Sequence, residues 1–253
     1  MASRTVYQFQ AELCDYTPKI WRRFQTAANI SMAKLGYIVM TMFEMQASHL
    51  FHLDIPVMDN TVKEMLEHDL TGKLDLNEED VKNTFEPKHR IWRAKIIDEN
   101  LAGYDPKDRT IIDATGVKVK DTVFSPGNIM TFTYDYGDDW TISLVLEEVY
   151  KKSELPAKEL PRVLEGEGYG IIEDCGGTFG LKELAAEFKK GRGPRYKELR
   201  DWLGTDKLDL RSFDIGEMNF RLKKVPRIYA DIYEHEFEPT KRSWDILTRK
   251  YLA

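Results

Sequence analysis

The first residues alternate between apolar and polar side chains. Tyr7, Phe9, Ala11 and Leu13 are separated by Gln or Glu, a spacing that places them on one face of a half-buried β-strand. Residues 20–24 predict a second strand after a break at Thr17-Pro18. The chain therefore predicts two successive strands before any helical pattern begins.

A helical pattern follows, with apolar residues at helical spacing through about residue 45. Asn29 or Ser31 can cap the start of this helix, because short polar side chains accept hydrogen bonds from the first free amides. A third strand is predicted for residues 49–55, which end at Pro56. This β-β-α-β order favours a sheet with one helix packed across it.

Residues 57–105 have a different character, since acidic residues outnumber basic ones there. Short helices are predicted for 61–70 and for 76–85, with Asn77 as a possible cap, and a strand around Trp92. We interpret this stretch as an acidic insertion in a core domain.

The clearest local pattern is a β-hairpin. Alternating residues 130–136 and the β-rich run 140–149 flank Gly137-Asp138-Asp139, and a Gly/Asp-rich turn between two such runs is typical of antiparallel pairing. Helices are then predicted for 181–190 and 195–203, for a segment from Ile215 with Asp214 as its cap, and for 244–251. The expected fold class is α+β, with a mainly antiparallel sheet and helices packed on one side.

Composition narrows the functional class. The 253 residues carry a net charge of −6, and 42% are hydrophobic, which excludes disorder over most of the length. No stretch approaches the roughly 18 apolar residues of a membrane-spanning helix, and the first residues do not resemble a secretory signal. Cys14 and Cys175 form neither a disulfide framework nor a thiolate zinc motif. We expect a cytoplasmic protein with no membrane partner.

Several segments together resemble a known family. They are PKIWRRF (18–24), TYDYGDDW (133–140), EDCGG (173–177), WLG (202–204) and SFDIGEMN (212–219). The chain resembles the plasmid open-reading-frame-three-like family (plasmid pRiA type), which is also labelled a transposon passenger, resolvase-like protein. The motif residues that we take as functional candidates are Trp21, Arg22, Arg23, His49, Tyr134, Asp135, Gly137, Asp138, Asp139, Trp140, Glu173, Asp174, Cys175, Gly176 and Gly177.

The resemblance implies an α+β domain carried by plasmids, phages and transposons, without an established activity. It covers about residues 5–56 and 107–222. We therefore predict a domain over 1–222, with the acidic insertion at about 57–105, and a C-terminal helical extension over 223–253.

The chain departs from the family pattern at several positions. Ile171 and Ile172 stand where the family usually has two prolines, and Gly36, Met40 and Met45 stand where it often has His, Gln and Trp. If those polar positions form a site in relatives, the site is incomplete here.

The resolvase label fails a chemical test. A serine recombinase needs an activated Ser among arginines and a basic helix-turn-helix. The segment 221–253 is only mildly basic and shows no recognition helix after a tight Gly turn. We therefore do not expect recombinase activity.

Acidic side chains cluster in two of the motifs. Carboxylates are the ligands that Mg²⁺ and Mn²⁺ prefer, so these residues, with His49 or His52 nearby, could hold a metal if the two loops met. The alternative is that Asp and Gly shape tight turns, whose backbone amides the acids cap. The candidate ligands are Asp135, Asp138, Asp139, Glu173 and Asp174.

Other candidates have simpler structural explanations. His49 and His52 would point to opposite faces of a strand, and Cys175 has no His placed to activate it. Trp21 with its two arginines could stack on a base or bind an acidic partner, but Arg22 could equally pair with an aspartate of the 135–139 turn.

One basic patch could contact nucleic acid or an acidic protein, although a solvated helix junction explains it as well. It comprises Lys189, Lys190, Arg192, Arg195, Lys197 and Arg200.

The leading hypothesis is a non-catalytic binding or interaction protein of a mobile element. It would have no cofactor and would contact a protein partner through the acidic insertion. The alternative is a metal-dependent hydrolase or nuclease that uses the carboxylates with Mg²⁺ or Mn²⁺. Whether the protein is an enzyme stays open at this point, and nucleic acid is the less supported partner.

Overall fold

The computed structural model describes residues 4–67, 89–97 and 105–248, and eight strands in these ranges form one sheet. The strands are β1 (Arg4–Leu13), β2 (Trp21–Ala27), β3 (Phe51–Ile55), β4 (Trp92–Lys95), β5 (Thr110–Asp113), β6 (Ile129–Tyr134), β7 (Trp140–Ser153) and β8 (Arg162–Glu167). Their order across the sheet is β5-β4-β3-β6-β7-β1-β2-β8. Neighbours are antiparallel except for β4 and β5, which are parallel. The predicted α+β class with a mainly antiparallel sheet is confirmed.

Seven α-helices accompany the sheet in the described part of the chain. They are α1 (Met32–Met42), α2 (Val57–Glu67), α3 (Gly177–Lys190), α4 (Pro194–Leu203), α5 (Ile215–Arg221), α6 (Val225–His235) and α7 (Lys241–Leu247), with short 3₁₀ turns at Val119–Asp121 and Ala157–Glu159. Within the described ranges, no helix combines the length and the apolar character that crossing a membrane requires.

The two faces of β1 differ as its alternation predicts. Phe9 is fully buried and pairs across the ladders with Phe24 on β2 and Leu146 on β7. On the opposite face, Gln8 donates to Glu147 and accepts a hydrogen bond from Gln25. One face of this part of the sheet is therefore packed into the core, and the other carries a polar network.

Helix α1 crosses the core and ends just before the candidate site. Ser31 is its cap, since its Oγ accepts a hydrogen bond from the amide of Lys34 at 3.2 Å. The helix ends at Met42, three residues earlier than the apolar pattern predicts, because Glu44 has a φ of 61° that a helix cannot accommodate. Residues 43–50, which we call the 43–50 loop, then lead into β3.

Some predicted boundaries were wrong. Helix α3 begins at Gly177, inside the stretch expected to be a glycine-rich loop, and the last helix is Lys241–Leu247 rather than 244–251. Helix α6 falls within the helical extension predicted for 223–253, but its bounds were not predicted, because the aromatic residues among charged ones from about Pro226 obscured its period. The helix expected at 76–85, with Asn77 as its cap, lies outside the described residues.

Candidate functional site

The first half of the site is assembled by the pairing of β3 with β6. Phe51 pairs with Tyr134, and the Leu50 carbonyl accepts a hydrogen bond from the amide of Asp135 at 3.0 Å. His49 precedes β3 and Asp135 begins the hairpin turn after β6, so antiparallel pairing brings both to the same end of the sheet. His49 was read as a strand residue in sequence, but it lies just before the strand.

The second half comes from the EDCGG loop, which lies against the hairpin tip. The Gly176 amide donates to Asp138 Oδ2 at 3.1 Å. A Cβ at Gly177 would lie 2.4 Å from the Asp138 carbonyl oxygen, and Gly177 also has a φ of +65°. Only glycine meets both conditions, so this residue allows the two loops to meet.

Four side chains converge where the loops meet, and we call them the His49 cluster: His49, Asp135, Glu173 and Asp174. His49 Nε2 lies 3.4 Å from Asp135 Oδ2, 3.6 Å from Glu173 Oε2 and 3.3 Å from Asp174 Oδ1. Both His49 Nε2 and Glu173 Oε2 are buried atoms without a hydrogen-bond partner. Unpartnered buried polar atoms are uncommon in folded proteins and call for an explanation.

The other oxygens of two of these carboxylates are held by the surrounding chain. Glu173 Oε1 accepts hydrogen bonds from the Gln46 amide at 2.6 Å and from the Tyr134 hydroxyl at 2.8 Å. Asp135 Oδ1 accepts one from the Gly137 amide at 2.9 Å. Each carboxylate is thus oriented so that its second oxygen faces His49.

Burial makes the cluster electrostatically unfavourable as it stands. The Glu173 side chain is only 8% exposed, and burial raises the pKa of its carboxyl above the ordinary value of 4.5. Burial also raises the pKa of Tyr134, so its hydroxyl stays a donor. Three carboxylates surround one imidazole, so the acids of the cluster outnumber the one side chain in it that can carry positive charge.

The distances from His49 Nε2 to the three carboxylates match those between neighbouring ligand atoms of a metal ion. Tetrahedral bonds of about 2.1 Å from nitrogen and oxygen ligands place neighbouring ligand atoms about 3.4 Å apart. Among the described residues, His49, Asp135 and Asp174 form the group of possible ligand atoms that lie within 4.8 Å of one another. Glu173 Oε2 lies 3.6 Å from His49 Nε2 but outside that group, so three side chains are placed to hold one divalent cation and a small shift would bring in Glu173 as a fourth ligand.

One side of the cluster is open to solvent. Asp174 is 70% exposed, and a cavity of about 400 Å³ is lined by His49, Asp135 and Tyr136. A larger cavity of about 1090 Å³ shares Leu50, Tyr136 and Tyr233 with it. A molecule that reached the cluster would have room to extend into this second space.

The remaining predicted ligands lie outside the cluster. Asp138 is occupied by the Gly176 amide, and Asp139 is an exposed turn residue with a φ of 52°. His52 is on β3, where its Nδ1 lies 3.2 Å from the Tyr136 hydroxyl. Burial, with Arg93 nearby, lowers the pKa of His52 to about 4.

The environments of two other motif residues, Cys175 and Trp140, do not favour a catalytic role. Burial raises the pKa of the Cys175 thiol to about 12, so it is not an activated nucleophile. Trp140 is fully buried at the start of β7.

The guess that Arg22 pairs with an aspartate of the hairpin turn was wrong. Arg22 is fully buried, and its terminal nitrogens donate to four backbone carbonyls, those of Trp21, Glu167, Gly168 and Tyr169. Its guanidinium also lies 3.8 Å from the ring centre of Phe213. Arg23 pairs with Glu147 and Glu165 instead. Arg22 braces the chain after β8 and is inaccessible to a partner.

The basic patch on α3 and α4 is partly neutralised by neighbouring acids. Lys190 pairs with Glu187 and Arg200 with Asp201. Arg195 contacts Glu183 at 2.7 Å. The exposed cations Lys189, Arg192 and Lys197 remain as candidates for partner contact.

The residues that depart from the family pattern are packed in the interior of the protein. A Cβ at Gly36 would lie 2.5 Å from the Phe51 ring, which leaves no room for a side chain. Met40, Met45, Ile171 and Ile172 are all buried. These positions belong to the hydrophobic core of the described chain.

Comparisons with known proteins agree with this fold. A family model described as plasmid pRiA4b ORF-3-like protein matches residues 5–220. The crystal structure of a protein of unknown function, MM3350 from Methanosarcina mazei Go1, is similar with a TM-score of 0.62 and 21% identity, over 85% of this chain and 98% of that one. None of the curated proteins matches. The likeness to the archaeal structure concerns the fold alone.

Proposed function

This chain belongs to the plasmid pRiA4b ORF-3-like protein family, and from the geometry of the His49 cluster we propose that it is a metal-dependent hydrolase. One divalent ion would be held by His49, Asp135, Glu173 and Asp174, all of which lie within the matched residues 5–220. The larger neighbouring cavity would receive the substrate.

A single observation carries the proposal. His49 Nε2 and Glu173 Oε2 are buried atoms 3.6 Å apart and neither makes a hydrogen bond, whereas the other oxygens of Glu173 and Asp135 accept hydrogen bonds from the chain. A purely structural cluster would gain by pairing these atoms, because a buried polar atom without a partner costs roughly 1–3 kcal/mol. A divalent cation would satisfy both atoms and balance the carboxylate charge.

The ligand types favour a transition-metal ion. Imidazole nitrogen suits Zn²⁺ and Fe²⁺, whereas carboxylates also suit Mn²⁺ and Mg²⁺. Because His49 adds nitrogen to an oxygen-rich set, Mn²⁺ and Zn²⁺ fit better than Mg²⁺. The oxygens of Asp135 and Glu173 that face His49 are oriented by the chain in the way that outer-shell bonds orient metal ligands.

The open side of the cluster favours catalysis over a closed structural metal. A bound divalent ion can lower the pKa of a coordinated water from 15.7 to about 7, which supplies hydroxide at neutral pH. Asp174, 70% exposed at this side, is placed either to complete the ligand set or to accept the proton of that water.

The cavity favours a small substrate over nucleic acid. Its two strong cations are already paired, Arg93 with Asp54 and Lys95 with Asp105, and Glu234 also lines the wall. Phosphate backbones are bound by clusters of free Lys and Arg. We therefore propose a small-molecule hydrolase rather than a nuclease.

The interaction-protein hypothesis stays a prediction. Its proposed contact surface, the acidic insertion at 57–105, falls largely outside the described residues. Partner contact through Lys189, Arg192 and Lys197 also stays a prediction, which salt-dependent binding would test.

Thermal unfolding with and without Mn²⁺ or Zn²⁺ tests the proposal. We expect the metal to raise the melting temperature of the unmodified chain, because a ligand that binds only the folded state stabilises it. Asp135→Asn should lose the shift, while the Gly137 amide keeps its acceptor. Asp139→Asn is the matched control, since both aspartates adopt a left-handed backbone in the same turn and Asn tolerates it.

Three results would count against the proposal. The first is a chain that no divalent ion stabilises, and the second is an equal shift for Asp135→Asn and Asp139→Asn. The third concerns catalysis alone. Metal-loaded protein could fail to hydrolyse every member of a panel of phosphate and carboxylate esters of nitrophenol and carboxylic amides of nitroaniline. That result would leave a metal-binding protein without the proposed activity.

A further inference from the structure

Helix α6 lies beyond the matched residues 5–220, yet it contacts the loop that carries His49. The hydroxyl of Tyr229 donates to the carbonyl of Met45, and the hydroxyl of Tyr233 donates to the carbonyl of His49 itself. The two tyrosines are four residues apart, so they lie on the same face of the helix. This face holds the 43–50 loop at two points.

The 43–50 loop supplies two backbone amide donors to the site in addition to the imidazole ring of His49. The Gln46 amide donates to Glu173, and the Ser48 amide donates to the Tyr134 hydroxyl at 3.1 Å, which in turn donates to Glu173. These donors lie between the two carbonyls that α6 holds. A displacement of the loop would therefore move His49 and loosen Glu173 together.

We propose that α6 is an integral part of the metal site and that Tyr233 is its positioning residue. This inference rests on the proposed function, because it concerns affinity for the same divalent cation. Tyr233 does not reach the ion. It fixes the backbone of His49 and so sets where Nε2 points.

The surroundings of Tyr233 make it a rigid anchor. Its ring stacks on Tyr37, with ring centres 5.9 Å apart, and meets Phe51 edge to face at 5.3 Å. Tyr37 belongs to α1 and Phe51 to β3, so the hydroxyl is positioned from two core elements. The same side chain lines both cavities beside the site, which makes α6 one wall of the space open to a ligand.

Removal of the hydroxyl alone separates positioning from packing. Tyr233→Phe keeps both ring contacts and deletes the hydrogen bond to His49. Outer-shell partners of metal ligands typically change affinity by 10- to 100-fold when they are lost. We expect Tyr233→Phe to bind Co²⁺ about tenfold more weakly than the unmodified chain, and we expect Tyr229→Phe to act in the same direction.

The experiment is a Co²⁺ titration of the full chain, followed by calorimetry and by the visible absorption of the bound ion. The absorption reports coordination geometry, which a loss of packing elsewhere would not change. Tyr196→Phe is the control. The Tyr196 hydroxyl also donates to a backbone carbonyl, that of Asp206, but Tyr196 lies on α4, a helix that carries no member of the His49 cluster. Each variant is checked for folding by circular dichroism before titration.

Weaker binding and an altered Co²⁺ spectrum for Tyr233→Phe, with Tyr196→Phe unchanged, support the inference. Unchanged affinity and spectrum for a folded Tyr233→Phe overturn it while the proposed function stands. If Tyr233→Phe does not fold, Tyr229→Phe decides by the same two readings. An unmodified chain that binds no Co²⁺, Mn²⁺ or Zn²⁺ overturns both proposals.

Discussion

Strand β3 has a cluster of buried charge at each end, and the two clusters are balanced differently. At the far end, Asp54 receives two hydrogen bonds from Arg93, at 2.7 and 2.6 Å, and one from Arg109 at 3.1 Å. At the near end, the carboxylates of Asp135, Glu173 and Asp174 surround His49. The first cluster, which we call the Asp54 cluster, is neutralised within the chain, and the second is not.

The shifts in pKa express the same contrast. Burial opposes ionisation at both ends, but at Asp54 the hydrogen bonds and charge of Arg93 outweigh it and lower the pKa of the carboxyl. At Glu173 burial prevails and raises the pKa of the carboxyl. A buried acid with its own cations stabilises a fold, whereas a buried acid without them depends on a cation from outside.

The largest expected effect is at the Asp54 cluster. Arg93→Met should lower the free energy of unfolding by about 3 kcal/mol, because removing one partner leaves a poorly compensated charge in a mostly buried place. Urea unfolding measures the loss, which should be the same with and without divalent metal. Exposed Arg192→Met serves as the control and should change stability by no more than about 0.5 kcal/mol. A loss of stability in Arg93→Met that depends on metal would show that the Asp54 cluster is not independent of the metal site.

The next effect concerns the contact between the hairpin tip and the EDCGG loop. Gly177→Ala should cost about 2 kcal/mol or more, because the new Cβ would lie 2.4 Å from the Asp138 carbonyl and the φ is +65°. Gly204→Ala also has a positive φ, +71°, but has no atom within 4 Å of the new Cβ, so about 1 kcal/mol is expected. Equal costs in urea unfolding would show that the two loops do not press together.

The pH dependence of stability sharpens the comparison at Asp54. Its folded pKa lies below the ordinary value of 3.8, so its contribution is complete above that value and is lost as pH falls through the folded pKa. The unmodified chain should therefore lose more stability than Asp54→Asn as pH falls below about 4. Unfolding free energies measured from pH 6 to 2.5 test this, and parallel curves for the two proteins would contradict it.

The smallest effect is expected at Glu173 in the absence of metal. Glu173→Gln removes one charge from a crowded set of acids and offers an amide donor to its neighbours, so unfolding free energy should stay equal or rise by up to about 1 kcal/mol. The same substitution should greatly reduce stabilisation by Mn²⁺. A destabilised metal-free variant would show that the charge of Glu173 supports the fold, as the charge of Asp54 does.

Local periodicity was sufficient to predict most of the sheet. Alternation in β1, the hairpin of β6 and β7, and the capping residues Ser31 and Asp214 all follow from neighbours in sequence. Residues 223–253 were expected to be helical, but the bounds of α6 were missed because its buried positions, among them Tyr229 and Val225, are separated by charged and exposed residues that hide the period. Its stability comes from packing on α1, which no local pattern reveals.

The residues of the site also fall into two groups, those that the sequence indicates and those that only tertiary contacts identify. The acids of the two motifs were visible as candidates, and Asp135, Glu173 and Asp174 do converge. His49 was taken for a strand residue, and Asp138 and Asp139 could not be separated from Asp135 by composition alone. The distinction depends on which oxygens are used by backbone amides, as Asp138 is by Gly176, and this follows only from tertiary contacts. The carbonyl contacts from Tyr229 and Tyr233 span 184 positions of sequence.

The most direct measurement is a crystal structure of the protein soaked with Mn²⁺ or Zn²⁺, with anomalous scattering recorded at the metal edge. We predict one ion bound by His49 Nε2 and by the oxygens of Asp135, Glu173 and Asp174 that face it, at about 2.0–2.2 Å. A metal-saturated crystal with no anomalous peak between the hairpin turn and the EDCGG loop, and with His49 and Glu173 still unpartnered, would contradict the account.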